Sequence, residues 1–356
     1  MIFLDYASTN PNPIYRCCDY GPFMNVNANY AYKEKRLIRE CEERVKVAIG
    51  AKSGKVVFGG TSSRLIENLM NAISYERLDY EVICSHYEHD SFYRYGERDV
   101  FNLSDLKFEL GTAYDGIKSI VMWQAVQNLT GEIFPVKQIG ELVHKYNGFY
   151  ICDGTAQLGH APIEPNIDDW CDFWCCSGHK AGTELGIGCC WISDRLDKWL
   201  NDFKLHGTPN LAGALALAQA VEDACDESEL EHKNKQIGGL FVDLLDRMYS
   251  VGIECYIVSP KDCVVPRTLA INAIRLHGFN ADSLQQFLAS KQIYIGVGHS
   301  SCSDNSDFRI LEQGYGLSKQ EASEVIRVSF GEDSTVKDVK TLVDNIVSFK
   351  KEYVND

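Results

Sequence analysis

Strand-like apolar runs alternate with amphipathic helical segments between about residue 55 and residue 195. A helix between two strands returns the chain so that the strands run parallel, and the alternation therefore predicts an α/β layer with a mostly parallel sheet. Ligands of such sheets bind outside the carboxyl ends of the strands, so the chemistry is expected in the residues that follow them. The strand candidates are residues 55–59, 80–85, 118–125, 148–153, 172–176 and 187–192, with helices around 62–76 and 136–146 between some of them.

A long helical stretch, about residues 211–250, separates this part of the chain from a second α/β section. Apolar runs and turn signals recur there at shorter intervals, which predicts a second and smaller domain. Its strand candidates are residues 253–257, 268–273, 293–297 and 324–330.

Lys180 stands in a polar turn directly after the apolar run Phe173–Cys176. A lysine amine reacts with carbonyl carbons only when neutral, which requires a desolvated site or neighbouring positive charge. The most familiar use of such a lysine is a Schiff base with pyridoxal phosphate, whose ring acts as an electron sink. Taken alone, a lysine at a strand end is more often a solvated surface charge.

Asp153 ends a second apolar run, Phe149–Cys152. An aspartate so placed can pair with a pyridinium nitrogen and keep the ring protonated. Gln157, four residues later, is a candidate donor to the ring phenolate. The alternative interpretation of Asp153 is a helix N-cap after a strand.

A turn of two glycines and three hydroxyl residues, Gly59 to Ser63, follows the short apolar run Val56–Phe58 and precedes an apolar-periodic helix. Free backbone amides and the helix dipole converge at such a position and favour a phosphate. The same residues are also common in ordinary turns and helix caps.

Arg327 lies in a strand-like run, Val325–Phe330, whose other residues are predicted to be buried. A charge in a buried strand needs a partner, and a guanidinium binds a carboxylate through two parallel hydrogen bonds. Arg327 is therefore a candidate for the α-carboxylate of an amino-acid substrate, with a structural ion pair as the alternative.

Cys302 lies in a stretch of small and polar residues, 296–307, which is typical of a mobile loop. An exposed thiol there can act as a nucleophile. His299, three residues earlier, is a candidate to lower the thiol pKa, although a loop histidine is more often only solvated.

The order and spacing of these motifs resemble the cysteine desulfurases of the NifS and IscS type, which are fold-type I pyridoxal-phosphate enzymes of the class V aminotransferase superfamily. The resemblance spans essentially the whole chain. Besides the motifs above, it rests on Leu4 to Thr9, Glu88-His89, Gln127 to Gly131, Ser177 to Lys180, Gly207 to Asn210 and Ile326 to Gly331.

The resemblance implies a role for each matching residue. Lys180, Cys302 and His89 would be catalytic, with His89 stacked on the pyridine ring and active in acid/base steps. Asn128 and Arg327 would bind the substrate carboxylate. The cofactor contacts would be Thr61, Ser62, Ser63, His89, Asn128, Asp153, Gln157, Ser177, His179, Lys180 and Thr208.

The resemblance also implies the domain organisation. A large domain, residues 13–228, would carry the pyridoxal phosphate on a mostly parallel sheet of the seven-stranded type. A smaller α/β domain, residues 1–12 and 229–356, would carry Cys302 and Arg327. The family forms homodimers with shared active sites, in which the residue matching Thr208 reaches the cofactor phosphate of the neighbouring subunit.

The function that the resemblance implies is conversion of L-cysteine to L-alanine, with a persulfide formed on Cys302 and passed to an acceptor protein that the sequence does not identify. One alternative is a related carbon–sulfur or carbon–selenium lyase, acting on selenocysteine, cysteine or cystine, or an aminotransferase, without a persulfide step. Another is a catalytically silent relative that serves as a scaffold.

Charge and cysteine content indicate where the protein is located and which partners it does not bind. The net charge of −15 argues against nonspecific binding to nucleic acid or to an anionic membrane. The beginning of the chain, Met1–Asp5, lacks the basic and apolar features of a secretion signal. The chain has 14 cysteines, several of them in apolar runs and none in a CxxC spacing, so we expect reduced thiols, no bound metal and a cytoplasmic protein.

Overall fold

The computed structural model of the protein describes residues 1–76, 78–113, 116–260, 265–299 and 308–354. The chain forms two compact units. Unit 1 consists of Met1–Pro11, Gln127–Ile133 and Glu231–Asp356, and unit 2 consists of Asn12–Val126 and Phe134–Leu230. The domain assignment expected from the family, residues 13–228 against 1–12 and 229–356, stays a prediction.

The strands and helices of the described residues follow in chain order. The strands are β1 (Ile2–Leu4), β2 (Lys55–Gly59), β3 (Tyr80–Ser85), β4 (Arg98–Val100), β5 (Lys118–Met122), β6 (Phe149–Asp153), β7 (Phe173–Ser177), β8 (Gly188–Ile192), β9 (Cys255–Ile257), β10 (Ile271–Leu276), β11 (Ile293–Val297) and β12 (Val325–Ser329). The α-helices are α1 (Tyr32–Ala48), α2 (Ser62–Tyr75), α3 (Asp90–Tyr93), α4 (Leu103–Gly111), α5 (Val136–Lys145), α6 (Asp194–Trp199), α7 (Leu211–Ala224), α8 (Glu227–Ser250), α9 (Ala281–Ser290), α10 (Lys319–Ser323) and α11 (Val336–Tyr353).

Unit 2 contains a seven-stranded sheet in the order β2-β8-β7-β6-β5-β3-β4. The strands from β7 to β4 pair in parallel, whereas β8 is antiparallel to both of its neighbours, β7 and β2. This sheet confirms the mostly parallel architecture predicted from the alternation of strands and helices. It also brings the carboxyl ends of β6 and β7 side by side.

The central strands are buried over their whole length because both faces of the sheet are covered. Every residue of β6, β7 and β8 is buried, as expected for the inner strands of an α/β layer. Helix α2 buries the apolar stripe that its 3.6-residue period predicts, and the hydroxyl of Thr61 caps its first turn by accepting the Arg64 amide at 3.3 Å. The stripe consists of Leu65, Ile66, Leu69, Met70 and Ile73.

The predicted helical stretch at residues 211–250 is in fact two helices, α7 and α8. The interruption falls at Asp226, whose carboxylate accepts hydrogen bonds from the backbone amides of Ser228 and Glu229. Such a side chain satisfies amides that have no partner inside the helix and therefore begins a new helix.

Unit 1 contains a five-stranded sheet in the order β1-β11-β12-β10-β9. Strand β1 pairs with β11 in parallel, and the other pairs are antiparallel. In the middle strand, Arg327 lies opposite Gly296 of β11 and Ala273 of β10. The residue after β1, Asp5, forms a bridge with Ser329. No helix among the described residues is both long enough and apolar enough to cross a lipid bilayer.

Candidate active site

Lys180 ends a short 3-10 helix, Gly178–Lys180, that begins directly after β7. Its side chain is half-buried, whereas a lysine that is only a surface charge would be exposed. The neighbouring Ser177 is buried in the last position of the strand. The parallel sheet therefore places Lys180 at the edge where ligands of α/β proteins bind.

Asp153 ends β6, the strand beside β7, and is buried. One carboxylate oxygen accepts the backbone amide of Thr155 at 2.9 Å, and the backbone oxygen of Asp153 accepts the amide of Ala125 at 3.0 Å. These contacts fix the turn after β6, so that the carboxylate stays at the same sheet edge as Lys180.

His89 precedes α3 and lies close enough to Lys180 and Asp153 to respond to their charges. Burial lowers its pKa below the ordinary value, the positive charge of Lys180 lowers it further, and the carboxylate of Asp153 acts in the opposite direction. Its Nδ1 accepts the backbone amide of Ser91 at 3.2 Å. A neutral His89 consequently carries its proton on Nε2.

His179 is the second histidine of this edge. Burial, reinforced by the adjacent Lys180 charge, lowers its pKa from 6.5 to about 4. Both histidines therefore stand as neutral imidazoles beside Lys180 at neutral pH.

The hydroxyl groups of Ser62 and Ser177 meet where α2 begins. The Ser62 amide donates to Ser177 Oγ at 2.8 Å, and the Oγ atoms of Ser62 and Ser177 lie 2.9 Å apart. Thr61 caps the same helix, whereas Ser63 is exposed. The arrangement offers hydroxyl groups and a helix N-terminus to an anion.

Gln157 is oriented differently from its expected role as a ring contact. Its amide nitrogen donates to the Pro162 carbonyl at 2.9 Å, and its side-chain oxygen accepts the Trp174 indole N–H at 3.4 Å. Both ends of the amide are thus engaged within a buried part of unit 2, and the predicted contact with the cofactor phenolate stays a prediction.

Arg327 and Asn128 meet within unit 1. Arg327 Nη1 donates to the Asn128 backbone oxygen at 3.2 Å, and Nη2 donates to Asp5 Oδ1 at 2.8 Å. The guanidinium therefore has an ion-pair partner, Asp5, as expected if Arg327 forms a structural ion pair. The predicted contact of Arg327 with a substrate carboxylate stays a prediction.

The turn that carries Asn128 is held by its neighbours in unit 1. The Gln127 side-chain oxygen accepts the Thr130 amide at 2.9 Å. Arg267 Nη2 donates to the Thr130 backbone oxygen at 2.8 Å, and the Tyr315 hydroxyl donates to Glu132 at 2.9 Å. This network fixes the backbone on which Asn128 is presented.

Three further candidates from the sequence are Cys302, His299 and Thr208. Cys302 lies outside the described residues. His299, three positions before it, hydrogen-bonds Asp282 at 2.8 Å, and its ring contacts that of Phe308 with centroids 5.6 Å apart. Thr208 is exposed in the connection between α6 and α7.

The sequence interpretation missed Thr155 and Asp5. Thr155 Oγ1 is buried and has no hydrogen-bond partner among the described residues. Asp5 was part of a recognised motif but had no role assigned. An acidic residue immediately after an apolar strand is the signal that points to Asp5, as it did for Asp153.

The sheet order, with a lysine in the turn after a strand of the parallel set, defines a fold-type I α/β enzyme. The family model described as aminotransferase class-V matches residues 2–342, and the chain belongs to that family. A solved structure titled as a NifS-like protein from Rickettsia africae ESF-5 shares the fold with a TM-score of 0.82, at 19% identity and with 99% of both chains covered.

Curated relatives align over nearly the whole chain at low identity. The protein named putative cysteine desulfurase IscS 1 of Bacillus subtilis is 22% identical, with 98% of each chain covered. The cysteine desulfurase IscS of Rickettsia akari is 24% identical, with 98% of this chain and 90% of the relative covered. These matches confirm the family resemblance and the fold class predicted from the motifs.

The family depends on pyridoxal phosphate, and the residues present fit this cofactor. Asp153 and Thr155 offer a buried carboxylate and a hydroxyl that lacks a partner among the described residues. An orphaned buried hydroxyl is costly unless a ligand or water satisfies it. The hydroxyl cluster at α2 fits a phosphate, and the half-buried amine of Lys180 fits the aldehyde.

Proposed function

We propose that the protein is a pyridoxal-phosphate-dependent cysteine desulfurase, which converts L-cysteine to L-alanine and passes the sulfur to an acceptor. The observation that carries this proposal is the convergence of Lys180, His89 and Asp153 at one sheet edge of unit 2. Alignment of nearly the whole chain with proteins named cysteine desulfurase supports the choice of substrate.

In this proposal, Lys180 would hold the cofactor covalently, Asp153 would accept the ring N–H, and the hydroxyls of Ser62 and Ser177 would bind the phosphate. When bound, pyridoxal phosphate supplies an electron-withdrawing ring conjugated to the α-carbon of the substrate. The lowered pKa of His89 keeps its imidazole neutral, so that it can lie against the ring without adding charge.

Substrate binding is assigned to Arg327 and Asn128, which carry donors for the α-carboxylate. The Lys180 amine, once released by substrate, takes the proton from the α-carbon. Its proximity to two neutral histidines supports this role, because neither histidine competes for that proton at neutral pH.

The sulfur step is assigned to Cys302 from its position in the sequence. Its thiolate attacks the substrate sulfur, and an S–S bond forms as the substrate C–S bond breaks. The electron pair of the broken bond stays with the substrate, whose β-carbon then takes a proton to become the methyl group of alanine. The products are alanine and a Cys302 persulfide.

We further propose a cytoplasmic homodimer that supplies sulfur for iron–sulfur cluster or thio-cofactor biosynthesis. Exposed apolar side chains beside the Lys180 turn support a subunit contact: Ile14 is 59% exposed and Leu185 is 79% exposed. Exposed Thr208 is available to reach a neighbouring active site. The free state of the described cysteines supports a reducing compartment.

The test is incubation of the purified, cofactor-loaded protein with L-cysteine, followed by measurement of alanine and protein-bound sulfane sulfur. The wild type should form both, and Cys302→Ala should form neither. Production of pyruvate and ammonia instead, with no persulfide on Cys302, would indicate the related lyase.

A second pair of variants tests the cofactor site separately. Lys180→Ala should lose the visible absorption of the lysine-bound cofactor together with alanine formation. Lys137→Ala, which removes a half-exposed lysine from α5 of the same unit, should retain both. Normal absorption in Lys180→Ala would contradict the assignment.

A further inference from the structure

Arg327 lies between two small residues of the neighbouring strands. Its partners across the sheet are Gly296 and Ala273, which leave the face above them open for the long guanidinium side chain. A Cβ added at Gly296 would lie 2.8 Å from Asp5 Oδ1 and 2.9 Å from Arg327 Nε. The backbone at Gly296 thus leaves room for both members of the Asp5–Arg327 pair, and for no side chain of its own.

The pair is largely removed from water. The Arg327 side chain is 13% exposed and that of Asp5 is 18% exposed. A guanidinium at such a depth needs a nearby anion, because its desolvation is otherwise uncompensated. Asp5 fills this requirement in the absence of substrate.

The pair leaves donors for a second carboxylate. Each terminal nitrogen of Arg327 uses one hydrogen, toward the Asn128 carbonyl and toward Asp5, and each retains one with no acceptor among the described residues. Two hydrogens on adjacent nitrogens are the fork that a carboxylate accepts. In the proposed function, a substrate carboxylate would join Asp5 on the guanidinium.

We propose that Asp5 is a positioning residue for substrate binding, an inference that rests on the proposed function. It orients the guanidinium of Arg327, and its negative charge lowers the affinity of Arg327 for the carboxylate of substrate and product. Without this charge, the guanidinium would present a full positive charge to each amino acid and would release alanine more slowly.

The experiment compares Asp5→Asn and Asp5→Ala with the wild type as cofactor-loaded proteins. Titration with L-alanine in a calorimeter gives the dissociation constant without turnover, and L-cysteine kinetics give KM and kcat. Asn retains the acceptor oxygen and removes the charge, so D5N should bind L-alanine about tenfold more tightly, because one like charge no longer lies a few ångströms from the bound carboxylate. D5A also loses the acceptor and should bind more weakly than D5N.

Asp243→Asn is the matched control, because it removes one negative charge from an Arg–Asp pair on α8 of the same unit. Its dissociation constant and KM should equal those of the wild type. Wild-type constants in D5N would overturn the inference, and equal constants in D5N and D5A would overturn the positioning role. A wild type that forms no alanine from L-cysteine would instead contradict the proposed function.

Discussion

The backbone amide of Ser62 donates a hydrogen bond to Ser177 Oγ across 2.8 Å, which joins the first residue of α2 to the last residue of β7. The two residues are 115 positions apart in the chain. The strand that leads to Lys180 is thereby tied to the helix whose N-terminus would receive the cofactor phosphate. Amine and phosphate sites therefore have a fixed separation.

Ser177→Ala should weaken cofactor binding. The change removes a hydroxyl assigned to the phosphate and takes the acceptor from the Ser62 amide that orients it. Loss of a hydrogen bond to a charged group costs about 1.5–3 kcal/mol, which corresponds to a roughly 10- to 150-fold higher dissociation constant for pyridoxal phosphate. Absorption titration of the cofactor-free protein measures it. Ser74→Ala, near the exposed end of the same helix, should bind the cofactor as the wild type does, and equal binding by both variants would contradict the role of the Ser62–Ser177 contact.

His179 should make the native state lose stability in acid. Because its pKa is about 4 in the folded protein and 6.5 ordinarily, the unfolded chain binds a proton between these pH values that the native protein does not. The free energy of unfolding therefore falls as the pH decreases through this interval. Urea unfolding of the wild type and His179→Gln should show a smaller loss in the variant, and identical slopes would refute the prediction.

Asp172→Asn should strongly destabilise unit 2. The carboxylate is 1% exposed and accepts from His144 at 2.9 Å and from Arg195 at 2.6 Å. Loss of the charge weakens the hydrogen bonds that the buried carboxylate accepts, but Arg195 is 38% exposed and stays partly solvated, so the cost is about 1–3 kcal/mol. Denaturant unfolding measures this loss. Asp202→Asn, which removes an exposed acid paired with Lys55, should have little effect, and similar losses in both would show that burial is not the cause.

Gly131→Ala should impair substrate binding through the turn that carries Asn128. Gly131 has φ +76°, and a Cβ there would lie 2.4 Å from the Ile271 backbone oxygen, so the turn would have to move. KM for L-cysteine should rise more than kcat falls. Gly239→Ala is the control, since nothing lies within 4 Å of its Cβ and α8 should gain about 0.5–1 kcal/mol in stability with KM unchanged.

The sequence allowed most of unit 2 to be predicted, because its buried strands are continuous apolar runs that end in turn residues. The predicted strand at residues 55–59 matches β2, and that at 293–297 matches β11. The prediction of one helical stretch over 211–250 missed the break at Asp226. An aspartate that caps a second helix has the same hydropathy as an aspartate on the solvated face of a continuous helix, so the pattern does not separate the two. Short elements such as β1 and β4 have too few residues for a periodic pattern.

The candidate site could be predicted where each residue follows its own strand, as Asp153 and Lys180 do. The partner of Arg327 could not be predicted, because Asp5 lies 322 positions away and the contact depends on a three-residue strand. The orientation of Gln157 also depends on tertiary packing, since Trp174 and Pro162 take up its amide. Pattern and motif specify which residues approach the sheet edge, and packing decides where their polar atoms point.

The reversed direction of β8 has a consequence for how the lysine turn is assembled. Residues 178–187 connect two strands that are direct neighbours, and Ser177 pairs with Gly188 at the base of the connection. The segment from 173 to 192 is therefore a hairpin of low contact order, whereas the parallel pairs on its other side each require a crossover. Closing a short loop costs little chain entropy. This hairpin, with the lysine turn that it contains, can therefore form before the parallel strands pair.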